Sequence, residues 1–136
     1  MHSSKSHEIR IPIDSDSDIV TARQRGREMA SQLGFTSTDL TLIATAISEL
    51  ARNIVLYAQQ GEIVLKLAEE GRRRGIGVIA RDNGPGIPDV ERALREGFST
   101  SRSFGMGLPG VRRLVDEFQI TSEVGSGTVV TVKKWK

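Results

Sequence analysis

The sequence contains no cysteine, and only 4% of its 136 residues are aromatic. Without cysteine the chain cannot form disulfides, thiolate metal sites or a thiol nucleophile. With so few aromatic side chains it is poorly suited to stacking the bases of single-stranded nucleic acid. We therefore expect neither a disulfide-stabilised secreted domain nor a single-strand-binding protein.

The sequence also lacks any strong concentration of charge or hydrophobicity. Nineteen basic and seventeen acidic residues leave a net charge of +2, which is too small to indicate nucleic acid as the main partner. No continuous apolar run reaches the roughly 20 residues needed to cross a membrane, and the start has no signal-peptide core. We expect one cytoplasmic domain over residues 1–136, with no nucleic-acid or membrane partner.

The first third of the chain predicts a strand followed by two helices. "EIRIPI" (8–13) alternates isoleucines, and its proline places the strand at a sheet edge. Helical periodicity follows over about 14–33, where Gly34 is a natural stop, and again over about 38–58. The aspartates at 14, 16 and 18 resemble a calcium loop, but the required glycine and glutamate are missing. Acidic residues at a helix N-terminus explain them better.

The rest of the chain predicts four strands and further helical segments. The basic run at 72–74 lies between glycines and is interpreted as a solvated hairpin turn. The predicted segments are strands at 62–68 and 75–81, a short helix at 90–97, a main helix at 108–118, and a closing hairpin of 119–124 and 128–135. This order predicts an α+β fold, an α/β sandwich with helices on one face of a mixed, mostly antiparallel sheet.

Two polar residues interrupt the apolar pattern of the second predicted helix. In "SELARNIVLY" (48–57), Glu49 and Asn53 lie one turn apart beside an apolar stripe. A carboxylate and an amide are costly to bury without partners. They therefore face either solvent or a polar site, and an amide oxygen is a suitable Mg²⁺ ligand.

Two glycine-rich loops supply the other candidate site residues. In "DNGPGI" (82–87), Asp82 ends an apolar strand and can accept a hydrogen bond from an exocyclic amine such as that of adenine. Gly84 and Gly86 would let backbone approach a flat base, although an ordinary tight turn explains the same residues. In "GMGLPG", Gly105 and Gly107 open a predicted helix, whose free N–H groups can hold phosphate oxygens.

The three boxes "ELARN", "DNGPGI" and "GMGLPG", in this order, resemble the ATPase superfamily of histidine kinases, gyrase B, Hsp90 and MutL, which has the Bergerat fold. Within it, the short loop between the glycine boxes is similar to the bacterial anti-sigma-factor serine kinases, in particular the RsbT-type switch kinases of the stressosome. The resemblance implies an ATP- and Mg²⁺-dependent protein serine/threonine kinase. It also implies STAS-domain substrates and a PP2C-type phosphatase that the kinase binds and activates.

The resemblance implies a role for each matched residue. Asn53 would be the Mg²⁺ ligand, Asp82 the adenine reader and Glu49 the general base. The four glycines at 84, 86, 105 and 107 would shape the lid and phosphate pocket, and Thr128 would be a minor adenine contact. Arg52 is expected to face solvent or a partner.

Two other functions remain open at this point. An anti-sigma factor of the same fold would act mainly by holding a sigma factor. A non-catalytic module would sense adenine nucleotide by binding alone. We do not expect an autonomous histidine kinase, because these residues show no dimerisation helix pair with a phospho-accepting histidine.

Overall fold

The computed structural model describes residues 8–87 and 107–136. They form an α+β structure in which three helices accompany a five-stranded sheet of order β1-β2-β3-β5-β4. The elements, in chain order, are β1 (Glu8–Ile13), α1 (Asp16–Leu33), α2 (Ser37–Tyr57), β2 (Gly61–Glu70), β3 (Arg73–Asp82), α3 (Gly107–Leu114), β4 (Glu117–Glu123) and β5 (Gly127–Trp135). The helix predicted at 90–97 lies outside the described residues.

Every pair of neighbouring strands among the described residues is antiparallel. The expectation of a mixed sheet is therefore wrong for this part of the chain, whereas the antiparallel character and the edge position of β1 are confirmed. The run at 72–74 is exposed as expected, but only Gly71 and Arg72 form the turn. The two following arginines already belong to β3.

The core lies between one face of the sheet and the first two helices. Alternate residues of each strand point to this face, as the period of a pleated strand requires. Gly26 of α1 lets Ile47 of α2 occupy the space that a Cβ would fill, so the helices pack closely. The sheet contributes a buried set to this core: Ile11, Ile13, Ile63, Leu65, Ile76, Val78, Ala80, Val130 and Val132.

Helix α2 is the central element of this core. Thr36 caps its start by accepting a hydrogen bond from the Asp39 N–H at 3.2 Å. Among the described helices it is the one whose length and composition would permit a membrane span. Half of that apolar window is buried against α1 and the sheet, which is typical of a core helix of a soluble protein.

Helix α3 ends four residues earlier than its sequence pattern predicts. The expected helix continued to Phe118, but the structure ends it at Leu114. The backbone N–H of Asp116 donates to the Lys133 carbonyl at 2.9 Å, so the chain joins the sheet there. Phe118 fits the helical period, because it lies four residues after Leu114, and it also fits the alternation of a strand. In the structure it belongs to β4 and pairs with Val132 of β5.

The sheet face opposite the helices carries charged side chains around one indole. Trp135 is buried, the guanidinium of Arg73 lies 4.3 Å from its ring centroid, and its Nε1–H donates to Glu117 at 2.8 Å. This cation–π contact closes the far end of β5, away from the polar residues described next.

Candidate functional site

The core face of the sheet ends in one polar row. The strand register pairs Asp82 with Gly61 on one side and with Thr128 on the other, and Thr128 with Ser122. The next row towards the core is entirely apolar and consists of Ile63, Ala80, Val130 and Ile120. The face that carries the core thus becomes polar within one row at the ends of β3 and β4 and the start of β5.

A cavity of about 250 Å³ lies between this polar row and the helices. Its described walls are mainly apolar, with the polar groups of Asn53, Asp82 and Thr128 among them. The remaining lining residues are Leu50, Ile54, Tyr57, Ala58, Ala80, Pro85, Gly86, Ile87, Leu108 and Val130. Apolar walls with a few placed polar groups suit a flat heterocyclic ligand.

Asp82 is held in place by its own loop. Its Oδ1 accepts a hydrogen bond from the Gly84 N–H at 2.9 Å, in an Asx-turn that fixes the carboxylate at the end of β3. A carboxylate has further acceptor positions once this bond is made. Asp82 can therefore accept a second hydrogen bond from a donor in the cavity, as an adenine reader requires.

The glycines of the first loop are required by close packing. A Cβ on Gly84 would lie 2.6 Å from the Cβ and 2.9 Å from the Cα of Ala58, at the end of α2. Gly86 has φ +81 and lies against the Glu123 carbonyl at the end of β4. The loop is thus clamped between α2 and the last hairpin, which explains these glycines independently of any ligand.

Glu49 and Asn53 lie on the same face of α2, but only Asn53 lines the described cavity. Glu49 is 4% exposed, and its Oε1 has no hydrogen-bond partner among the described residues. The same is true of the buried Oδ1 of Asn53. The burial of Glu49 excludes solvent, the alternative for its carboxylate. Asn53 is half-buried as a residue although its Oδ1 is buried, and Arg52 is half-buried as well.

Two buried oxygens without partners fit a cation better than an apolar core. Leaving such atoms unpaired is costly, and Mg²⁺ prefers oxygen ligands completed by phosphates and water. The residues present are therefore compatible with the predicted ion, with Asn53 as its protein ligand. The described residues contain no group of three acidic, histidine or cysteine side chains that could hold a metal ion.

The second glycine box is described only in part. Gly107, where the described part of α3 begins, is buried and has φ +55, and the next residue, Leu108, lines the cavity. Gly105 lies outside the described residues. The predicted phosphate role of both stays a prediction.

The sequence did not predict Ser122 of the polar row, nor the close approach of the neighbouring Gly127 to Asp82. Ser122 lies within 2.8 Å of the buried hydroxyl of Thr128. Gly127 has φ +115, and a Cβ there would meet the Asp82 carbonyl and lie 2.9 Å from the Asn83 Cα. The alternation Phe118, Ile120, Ser122 was the available signal, since it places a hydroxyl on the core face.

Comparison with known proteins places this site in a family. A family model described as "Histidine kinase-, DNA gyrase B-, and HSP90-like ATPase" matches residues 38–136. The serine/threonine-protein kinase RsbT of Bacillus subtilis (strain 168) is 50% identical over 125 residues, covering 92% of this chain and 94% of the relative. Anti-sigma F factor of Thermoanaerobacter sp. (strain X514) is 33% identical over 112 residues, 78% of this chain and 77% of that protein. Anti-sigma F factor of Geobacillus stearothermophilus is 31% identical over 121 residues, covering 83% and 81%.

The chain belongs to the histidine kinase-, DNA gyrase B- and HSP90-like ATPases. This membership confirms the predicted fold family and the use of ATP. The chain is 50% identical to RsbT over nearly the whole length of both proteins. This similarity confirms the predicted enzyme class, a protein serine/threonine kinase. The two kinds of relative together indicate a role in switching between protein partners.

Proposed function

We propose that the chain is an ATP- and Mg²⁺-dependent serine/threonine kinase that acts as a partner switch in bacterial sigma-factor regulation of stress. Its substrates are STAS-domain proteins of a stressosome-like complex, and on release it binds and activates a PP2C-type phosphatase in the cytoplasm. The likeness to RsbT carries this proposal, and the buried, unpartnered oxygens of Glu49 and Asn53 support the chemistry.

The polar residues of the site follow one another from the polar row of the sheet along α2. Asp82 and Thr128 lie in the polar row of the sheet and face the base, whereas Asn53 lies on α2 at the same cavity. Glu49 lies one turn further along α2, outside the described cavity lining. The base, the phosphates and the incoming hydroxyl would therefore follow one another along α2.

Each residue then has a distinct task. Asp82 accepts a hydrogen bond from the exocyclic amine, and Asn53 turns its amide oxygen towards the phosphates. When bound, Mg²⁺ neutralises phosphate charge, which supplies much of the catalysis in phosphoryl transfer. Glu49 accepts the proton of the substrate hydroxyl, and its burial without a partner leaves it free to do so.

Transfer of labelled phosphate from ATP to a STAS-domain protein tests the proposal. We expect Glu49→Gln, which keeps the shape of the side chain, to slow transfer by about 10²–10⁴-fold while ATP binding changes little. Glu28→Gln, an exposed carboxylate on α1, is the matched control and should transfer normally. Wild-type protein that binds ATP but labels no STAS-domain partner would contradict the kinase–substrate pairing.

The anti-sigma factors among the relatives favour a second candidate function, direct retention of a sigma factor. Co-purification of the chain with a cognate sigma factor separates the two, because the proposed switch should not retain it. Stable, nucleotide-dependent retention would favour the second function. ATP binding with neither transfer nor retention would favour a nucleotide-sensing module.

A further inference from the structure

The first glycine loop contains a reactive pair of neighbours, Asn83 followed by Gly84. Asparagine is one of the thermolabile residues, because the backbone nitrogen that follows it can attack its side-chain carbonyl carbon. Glycine in the next position permits this attack best, since it has no Cβ to restrict the backbone or block the approach. Asn83 is exposed and is therefore accessible to the water that the reaction consumes.

The reaction at this pair changes the backbone and needs water alone. The Gly84 nitrogen loses its proton to solvent and forms a bond to the Asn83 Cγ, and the side-chain amide nitrogen leaves as ammonia. Water then opens the resulting cyclic imide at either of its carbonyl carbons. One product has aspartate at position 83. The other has isoaspartate, whose main chain runs through the side-chain carbons and is longer by a methylene group.

The other asparagine of the chain provides an internal comparison. Asn53 precedes Ile54 within α2, where the backbone N–H groups are held in the regular hydrogen bonds of a helix. Ile54 is also buried, and its β-branched side chain crowds the nitrogen that would have to attack. We therefore expect Asn53 to be inert under conditions in which Asn83 reacts.

The loop around Asn83 has no room for a longer backbone. The Gly84 N–H donates to the Asp82 Oδ1 at 2.9 Å, and a Cβ on Gly84 would lie 2.6 Å from the Cβ of Ala58. On the other side, a Cβ on Gly127 would lie 2.9 Å from the Asn83 Cα. Isoaspartate at position 83 therefore displaces Gly84 and breaks the turn that holds the Asp82 carboxylate.

A ligand in the cavity holds this loop in its closed form. Four residues of the loop line the cavity: Asp82, Pro85, Gly86 and Ile87. The Gly84 nitrogen has to leave the Asp82 carboxylate before it can attack, so the reaction proceeds from a locally opened form. A ligand that binds the closed form alone lowers the population of the opened form and slows the reaction.

We propose that Asn83 is a deamidation site whose isoaspartate product weakens ATP binding, and that bound ATP protects it. Nucleotide-free protein therefore loses its binding site with time through a covalent change, whereas occupied protein keeps it. This inference rests on the proposed function only in that the cavity binds ATP. None of its steps involves a protein substrate.

The first test measures the reaction itself in the full chain. The protein is incubated at mildly alkaline pH with and without Mg²⁺ and a non-hydrolysable ATP analogue, and peptide mapping by mass spectrometry follows both asparagines. We expect Asn83 to convert to aspartate and isoaspartate while Asn53 stays intact. The analogue at about 100 times its dissociation constant should slow the loss of Asn83 at least about tenfold. Equal stability of the two asparagines, or equal rates with and without the analogue, would overturn the inference.

The second test separates the backbone change from the added charge. Calorimetry of the isolated isoaspartate form should show ATP binding at least about tenfold weaker than in the parent, as loss of a hydrogen bond to a charged group implies. Asn83→Asp carries the same charge on a normal backbone and should bind ATP within about fivefold of the parent. Unchanged affinity of the isoaspartate form, or an equal loss in Asn83→Asp, would overturn the inference.

The third test distinguishes this change from other damage during incubation. Asn83→Ser cannot deamidate at this position and should keep its ATP affinity through the same incubation, while the parent loses affinity in step with its isoaspartate content. Protein L-isoaspartyl methyltransferase with S-adenosylmethionine, which returns isoaspartate to aspartate, should restore binding to the aged parent. An equal loss in Asn83→Ser, or no recovery after repair, would overturn the inference. All three tests measure ATP binding or mass, so absence of transfer to a STAS-domain protein would contradict the proposed function and leave this inference standing.

Discussion

Asn53 and Glu49 show how one turn of helix can separate two chemical roles. Both present a buried oxygen that has no partner in the described part of the chain, yet only the amide borders the cavity. Burial of this kind costs stability unless a ligand later pairs with the atom. The two residues are therefore better explained by what they bind than by what they contribute to the fold.

We predict that Asn53→Ala abolishes Mg²⁺-dependent phosphoryl transfer and keeps the fold. Removing an unpaired buried amide takes away a ligand without breaking a hydrogen bond within the described residues, so thermal stability of the free protein should not fall by more than about 1 kcal/mol. Transfer assays across a range of Mg²⁺ concentrations, with melting curves of both proteins, check this. Unchanged transfer at low Mg²⁺ would refute the metal assignment.

The helices differ in how they end, and this difference is itself measurable. Helix α1 stops at Gly34, which adopts φ +92 without strain, whereas α2 is followed by Gln59 at φ +71. The Gln59 N–H donates to the Ile54 carbonyl at 2.7 Å. Helix α2 is therefore terminated by a residue in the left-handed conformation, a position at which glycine is preferred. A non-glycine residue there costs conformational energy.

We predict opposite effects of substitution at these two helix ends. Gln59→Gly should stabilise the protein by roughly 0.5–1 kcal/mol, because relief of the left-handed strain exceeds the added entropy of the unfolded chain. Gly34→Ala should destabilise it by about 1 kcal/mol. Urea unfolding of both variants beside the parent tests the pair; a loss of stability in Gln59→Gly would mean that its side chain matters more than its backbone.

The start of α1 predicts a pH effect. The backbone N–H of Asp14 donates to the Asp18 carboxylate at 2.9 Å, and this bond, with a smaller contribution from Ser15, lowers the pKa of Asp18. A lowered pKa means that the ionised group stabilises the fold above its unfolded-state pKa, and that this stabilisation is lost as pH falls through the folded-state pKa.

Asp18→Asn should therefore be less stable than the parent at neutral pH. The difference should shrink as the pH falls through and below the normal range of aspartate titration, because the parent carboxylate becomes protonated there. Urea unfolding at a series of pH values measures it, with Glu28→Gln as an exposed control on the same helix. A difference that does not depend on pH would contradict the role of the charge.

At the scale of the whole molecule, the cavity joins elements distant in sequence. Its described walls come from α2, β3, the first glycine loop, α3 and β5. A ligand that fills it binds the folded chain alone and must therefore stabilise the fold as a unit.

We predict that saturating ATP with Mg²⁺ raises the melting temperature. At about 100 times the dissociation constant the gain is about 2.7 kcal/mol, which corresponds to roughly 10 °C for a chain of this size. Asp82→Asn should lose most of this shift, since the amide replaces an acceptor with a donor, but should melt normally without nucleotide. An equal rise in melting temperature with ATP in the parent and in Asp82→Asn would show that Asp82 does not recognise the base.

Much of this architecture follows from local patterns in the sequence. Alternating isoleucines predicted β1, Pro12 its edge position and Gly34 the end of α1, because each acts through nearby backbone. Phe118 was misplaced in a helix because its spacing fits two periods, and only pairing with β5 decides between them. Local alternation places Ser122 on the core face, but its pairing with Thr128 depends on strand register. The need for glycine at 127 comes from its close approach to Asp82, a contact between segments that a local pattern does not show.

The cation–π contact at the end of β5 has a practical consequence for such experiments. Trp135 is the only tryptophan of the chain, and Tyr57, which lines the cavity, is the only tyrosine. Thr128 lies seven positions before Trp135 along the extended strand β5, which corresponds to roughly 23 Å. Indole fluorescence should thus report global unfolding and remain constant during nucleotide titration, while tyrosine absorbance follows occupancy. The molecule carries two separate optical reporters without any label.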